Sequence, residues 1–219
     1  MKKYVNLFVF VFMIGACLSQ GRAQTKSAVS YKNPVVDIAM PDPTVIKAAD
    51  GYFYVYATES TRNVPIMKSK DLVEWTYCNT AFTNKTRPRF EPKAGIWAPD
   101  INYINGKYVL YYAMSVWGGE QTCGIGVATA NSPQGPFTDH GKMFRSNEIG
   151  VQNSIDPSLL QYEGRNYLVW GSFRGIYVIE LTADGLSIMS GAKKKRIAGT
   201  AFEAVYIHKH GDYYYMFAP

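Results

Sequence analysis

The chain has 219 residues, 47% hydrophobic and 15% aromatic with 18% charged, which can fill a sizeable core and is far from the composition of a disordered segment. Its net charge of +6 falls to +3 once Lys2, Lys3 and Arg22 are set aside with a targeting-like stretch, so no acidic partner is called for. Nucleic acid is not indicated: the one basic cluster, Lys193 to Arg196, has no interleaved aromatic residues and reads as a solvated turn.

The first residues, "MKKYVNLFVFVFMIGACLSQGRAQTKS", combine a basic start, an apolar run from Tyr4 to Leu18 and small residues at two cleavage points. This is the pattern of a secretory signal over residues 1–23, with a short linker over 24–33 and the globular part over 34–219. The apolar run is shorter than the roughly 20 residues that span a bilayer, so no membrane span is expected. Cutting after Ala23 releases a soluble protein, whereas Cys17 in "IGAC" stands like a lipid-modified cysteine that would tether it. Either route exports the chain, to the periplasm or outside the cell. Cys78 and Cys123 are the cysteines beyond the signal; an exported setting permits a disulfide, and separate buried thiols fit equally well.

Self-comparison reveals four units with one plan. They are "DPTVIKAADGYFYVYATES" from Asp42, "APDINYINGKYVLYYAMS" from Ala98, "DPSLLQYEGRNYLVWGSF" from Asp156 and "EAVYIHKHGDYYYMFA" from Glu203. Each reads as two strands around a turn, at Asp50-Gly51, Asn105-Gly106, Glu163-Gly164 and His210-Gly211, and the strand after the turn is aromatic and alternating. Between them lie "VPIMKSKDLVEWTY", "GIGVATANSPQGPFTDHG" and "IYVIELTADGLSIMSG", which supply two more strands per unit. The expectation is therefore all-β, a run of four-stranded sheets like propeller blades; a β-sandwich is the rival, but it does not predict that each unit opens on the same motif. The units begin 56, 58 and 47 residues apart, and the fourth is only begun when the sequence stops. On this spacing the chain reads as an incomplete propeller of about three and a half blades.

Three of the four opening residues are acids, Asp42, Asp156 and Glu203, and the fourth is Ala98. A lone Asp-Pro merely starts a turn, but in a propeller equivalent positions converge on the axis, so three acids in register point to one pocket. Converging carboxyls with aromatic walls suit glycoside hydrolysis, which needs one protonated acid and one ionised base. A third acid keeps the donor protonated by like-charge crowding. Calcium is the competing use of carboxylates, but it takes closely spaced loop ligands that are not present here. No zinc-type cysteine and histidine set and no phosphate-binding glycine loop occurs.

The segments "PDPTVI", "IWAPDINYINGKYVLYY", "NSIDPSLL", "WGSFRGIYVIEL" and "FEAVYIHKHGDYYYMF" together resemble glycoside hydrolase family 43, over about Pro34 to the end. The resemblance implies a five-bladed β-propeller acting on arabinan or xylan with inversion, Asp42 as general base, Glu203 as general acid, and Asp156 as the residue that modulates and orients the acid. Inversion needs acid and base about 6.5–9.5 Å apart with water between them. "NSIDP" and "GSFRGIYVIEL" are most similar to endo-α-1,5-L-arabinanases, while Pro41 and Val205 depart from the arabinanase pattern and leave exo action, as an arabinofuranosidase or xylosidase, open. The implied partner is an arabinose-containing polysaccharide or oligosaccharide, and the complete protein would be a monomer. No cofactor is required, though a structural calcium on the axis of a full-length protein belongs to the pattern. An inactive fragment or a non-catalytic glycan-binding propeller is the alternative from another functional class.

Trp97 and Ala98 would lie at the pocket rim, and Phe173 and Arg174 could touch substrate. Asn153 and Ser154 either bind sugar hydroxyls or cap the turn before Asp156. Trp75, Trp117 and Trp170 read as packing residues, and His140, His208 and His210 as turn or strand residues.

Overall fold

The computed structural model describes residues 30–219, so the signal segment with Cys17 and the first part of the linker lie outside the described residues. In the unit from Lys32 to Pro219, fourteen strands and one short helix follow one another as antiparallel meanders. Sheet 1 takes β1 (Thr44–Lys47), β2 (Phe53–Tyr56), β3 (Pro65–Ser69) and β4 (Trp75–Thr80). Sheet 2 takes β5 (Gly95–Ile104), β6 (Lys107–Ser115), β7 (Gly124–Ala130) and β8 (Thr138–Arg145), and is followed by α1 (Ser146–Ile149). Sheet 3 takes β9 (Ser158–Tyr162), β10 (Arg165–Trp170), β11 (Ile176–Glu180) and β12 (Lys195–Ala198), and a hairpin of β13 (Tyr206–His210) and β14 (Tyr213–Phe217) comes last. Among the described residues no helix is long and apolar enough to cross a membrane.

Three of the turns are where the sequence placed them, while the fourth sits one residue later, at Gly211-Asp212, because His210 ends β13 opposite Tyr213. At Asn105-Gly106 and Glu163-Gly164 both residues have positive φ, 47° and 82° in the first, 49° and 73° in the second. That is the geometry of the two-residue turn whose twist matches the flanking strands, and glycine adopts it at no steric cost.

Strand β6 explains how the sheets stack. Successive side chains of a strand point to opposite faces. Tyr108, Leu110, Tyr112 and Met114 accordingly join Tyr54, Tyr56 and Ile66 of sheet 1, with Phe82 and Phe137, in one core. Val109 and Tyr111 join Ile125, Val127, Leu168, Trp170 and Ile179 in a second core shared with sheet 3. A sheet covered on both faces must be apolar on both, and "YVLYYAMS" is buried at every position. A smaller cluster of Val169, Ile176 and Val205, with Ile207 beside it, seats the last hairpin on sheet 3.

Buried phenols keep hydrogen bonds: Tyr111 Oη donates to the Gly185 carbonyl at 2.8 Å and Tyr112 Oη to Asp139 Oδ1 at 2.5 Å. Cys78 and Cys123 are separate thiols, and burial pushes Cys123 up from its ordinary pKa. The basic run differs from its expectation. Lys195 and Arg196 open the outermost strand of sheet 3, where exposed cations discourage pairing with another chain.

Candidate active site

The sheets present equivalent residues at their inner ends, and one backbone feature marks them. Asp42, Ala98, Asp156 and Ala204 all sit in the left-handed region, with φ of 49°, 39°, 57° and 46°. Non-glycine residues adopt this conformation at a cost, which surrounding structure must offset, and four in equivalent places indicate a shared constraint. Each lies two residues before a strand or, for Ala98, within the bulge of β5 between Trp97 and Asp100. Pro43, Pro99 and Pro157 follow the first three, and Val205 follows the fourth. The fourth unit therefore registers on Ala204, and Glu203 stands one residue earlier, opposite Pro41, Trp97 and Ile155 of the other units. This corrects the alignment that began unit four at Glu203. The substitution of valine for proline hid the shift.

Asp42, Asp156 and Glu203, from three different units, line one cavity of about 660 Å³. A separate groove of about 710 Å³ along Pro34, Ile38, Val45, Val55 and Trp75 is lined without a titratable group, so the chemistry belongs to the cavity with the acids. Asp42 Oδ2 accepts a hydrogen bond from Thr58 Oγ1 at 2.6 Å. Asp156 Oδ2 accepts from the Ala204 backbone N–H at 3.2 Å, and Glu203 Oε2 accepts from Ser172 Oγ at 3.0 Å. Burial above all, then the facing charge of Glu203, pushes the Asp156 carboxyl up to about 7, with Asp42 adding to it and the Ala204 N–H opposing. Raised that far, the Asp156 carboxyl holds its proton to near neutral pH. A protonated group and an ionised group on one cavity can assist a bond cleavage from two sides.

Trp97, Ala98, Asn153 and Phe173 line the same cavity. Trp97 packs at 5.8 Å between ring centres against Trp117, whose indole is 95% exposed on the cavity rim. Trp117 is therefore no packing residue, in contrast to Trp170, which is buried and donates to Ser154 Oγ at 3.1 Å. Ser154 is corrected as well: it is fully buried, its hydroxyl donates to the Val151 carbonyl at 2.9 Å, and it holds the turn before Asp156 instead of facing a substrate. Arg174 does not line the cavity; it clamps Glu120, which does, through two hydrogen bonds of 3.0 and 2.9 Å. Asn153 Nδ2 donates to the Ser172 carbonyl at 3.0 Å. Thr58, Ser172, Trp117 and Glu120 were not picked out as site residues. Ser172 alone had a visible signal, its place beside Phe173 and Arg174 in "GSFRG".

Among the described residues no group of three His, Cys, Asp or Glu could hold a metal. Asp100, which lines a second cavity together with Asp42 and Asp156, has Oδ2 occupied by donors, Asn102 Nδ2 at 2.7 Å and the Leu159 N–H at 2.8 Å. A carboxylate oxygen that already accepts two N–H donors does not suit a cation.

The sequence profile described as "Glycosyl hydrolases family 43" matches residues 31–219. The "Extracellular endo-alpha-(1->5)-L-arabinanase 1" of Bacillus subtilis is 35% identical over 188 residues, 80% of this chain and 57% of that protein. Among solved structures, the "alpha-L-arabinanase" of Cellvibrio cellulosa has a TM-score of 0.72 at 28% identity, covering 83% of this chain and 64% of that one. An "Exo-1,5-alpha-L-arabinanase" from a bovine ruminal metagenomic library has a TM-score of 0.71 at 30% identity, covering 86% and 67%. The chain spans 56–57% of the length of these curated arabinanases.

Proposed function

Because the chain belongs to glycosyl hydrolase family 43, we propose that it carries the acid and base of an enzyme that hydrolyses α-1,5-linked arabinan with inversion, on a five-bladed propeller whose domain begins at residue 34. The observation that carries this is the convergence of Asp42, Asp156 and Glu203 from three units on one cavity. In this reading Asp42 is the base, Glu203 the acid, and Asp156 the neighbour that keeps a proton on the pair.

The step balances as a single displacement. Asp42 takes a proton from water as the water oxygen bonds to the anomeric carbon, the glycosidic carbon–oxygen bond breaks, and Glu203 gives its proton to the departing oxygen. Asp156 favours the protonated form of its partner because two adjacent negative charges repel. Ser172 donates to one Glu203 oxygen and so leaves the other to carry the proton. Trp97, Trp117 and Phe173 offer flat apolar surfaces to sugar rings, and Asn153 a polar contact.

Arabinan is the substrate favoured by the activities of the relatives, and the extracellular Bacillus relative supports an exported protein. An exo mode stays beside the endo one because the exo-acting neighbour matches nearly as well as the Cellvibrio arabinanase. The test is release of reducing ends from linear α-1,5-arabinan by the 219-residue chain. Long oligosaccharides appearing first support endo action, and a single short product from the outset supports exo action.

A further inference from the structure

Thr58 stands two residues beyond β2, near the far end of the unit that Asp42 opens and 16 residues from that carboxyl. Its side-chain oxygen is 2.6 Å from the Ala98 backbone nitrogen and 2.6 Å from Asp42 Oδ2. An amide N–H can only donate, so the contact with Ala98 uses a lone pair of the threonine oxygen, and the single hydroxyl proton is left for Asp42. The sense of the second hydrogen bond is thereby fixed. Thr58 donates and Asp42 accepts, at the short separation of a charge-assisted O–H···O⁻ contact.

The same segment is tied down on every side. The Thr58 N–H donates to the Pro41 carbonyl at 2.9 Å, which holds the residue before Asp42. The Glu59 N–H donates to the Ile96 carbonyl at 3.1 Å, and Glu59 Oε1 accepts from the Ile96 N–H at 2.9 Å, which registers the end of β2 against β5. Asp42 itself is exposed, and among the described residues Thr58 is its one side-chain hydrogen-bond partner.

We infer that Thr58 is the positioning residue of the base: it occupies Asp42 Oδ2 and so assigns Oδ1 to receive the proton of the attacking water. This rests on the hydrolase reading above. A carboxylate on a short, exposed side chain otherwise samples several rotamers, and misplacement by about 1 Å costs on the order of 10²-fold in rate. Residue 58 is thus a second determinant of the base that no carboxyl motif announces.

The experiment compares Thr58→Val, which keeps the β-branched shape and loses the hydroxyl, with Thr58→Ser, which restores it. On linear α-1,5-arabinan, Thr58→Val should lower kcat by roughly 10–100-fold with KM within about twofold, and Thr58→Ser should recover most of the loss. An arabino-oligosaccharide carrying a low-pKa phenol as leaving group sharpens the result. It should rescue Glu203→Gln, which lacks only the acid, and should not rescue Thr58→Val, whose defect lies at the base. If Asp42→Asn and Glu203→Gln are inert while Thr58→Val turns over like the wild type, the inference is overturned and the hydrolase reading stands. If the acid and base variants turn over like the wild type, the hydrolase reading fails instead. Crystal structures of the two Thr58 variants decide the geometry without turnover. The Asp42 carboxylate should leave its present orientation in Thr58→Val and keep it in Thr58→Ser; an unmoved carboxylate in Thr58→Val contradicts the inference even in a chain that cleaves nothing.

Discussion

The backbone N–H of Ala204 donates to Asp156 Oδ2 at 3.2 Å, so the residue beside Glu203 is held by the carboxyl that Glu203 faces. One contact thus joins the start of the last hairpin to the start of β9 and fixes how near two acids stand. Its consequence is electrostatic, because Asp156 is pushed up to about 7 by burial and by that neighbour.

Asp156→Asn should change stability in a pH-dependent way. The folded carboxyl, at about 7, binds its proton more tightly than the unfolded one, whose ordinary value is 3.8. The contribution of Asp156 is therefore fully favourable below about pH 4 and is lost as pH rises toward 7. Asparagine does not titrate, so Tm of the variant minus Tm of the wild type should grow between pH 4 and 7 and level off above. Asp100, pushed up to about 6, titrates in both proteins and cancels in the difference. A flat difference across that window contradicts the reading of Asp156.

Arg87→Met tests the buried support of the Thr58 segment. Arg87 and Glu59 form a fork-to-fork ion pair with side chains 7% and 9% exposed, and Arg87 Nη2 also donates to the Ala94 carbonyl at 3.0 Å. Burial alone would raise Glu59, but the guanidinium and the N–H groups of Asn63 and Ile96 outweigh it and hold the carboxyl below its usual range. Removing one partner leaves an uncompensated charge, for which about 3–5 kcal/mol is the usual loss. Chemical denaturation at pH 7 should show a loss of that order. A change under about 1 kcal/mol would mean that the pair carries little of the local stability.

Trp117→Ala tests the cavity rim. The indole is 95% exposed, so its removal should leave Tm nearly unchanged. Its loss as a stacking surface should raise KM by roughly 10-fold, equivalent to about 1.4 kcal/mol, with a smaller effect on kcat. An unaltered KM on long arabinan chains would remove Trp117 from the substrate path.

Much of the fold was legible because local chemistry decides it. Asn105-Gly106 could only be a tight turn, and "YVLYYAMS" is apolar on both pleat faces because sheets cover β6 on both sides. The acids were legible as residues, but their register was not. Val205 in place of proline hides a one-residue shift of the fourth unit, which the left-handed φ of Ala204 and the start of β13 at Tyr206 reveal. Ser154 and Trp117 exchanged roles for a related reason. Which small polar residue is fully buried, and which tryptophan is bare, depends on the path of the segment that ends at Phe173 and on the turn around Gly118, and neither is written in a local pattern. Thr58 carries no motif at all; its meaning comes from contacts with residues 16 and 40 positions away.

The most direct test of the account measures reducing-sugar release from linear α-1,5-arabinan by the 219-residue chain, with Asp42→Asn and Glu203→Gln beside it. The account predicts release by the unaltered chain and a loss of roughly 10²–10⁴-fold in each variant. Release that persists in both variants, or a folded chain that releases nothing, would contradict it.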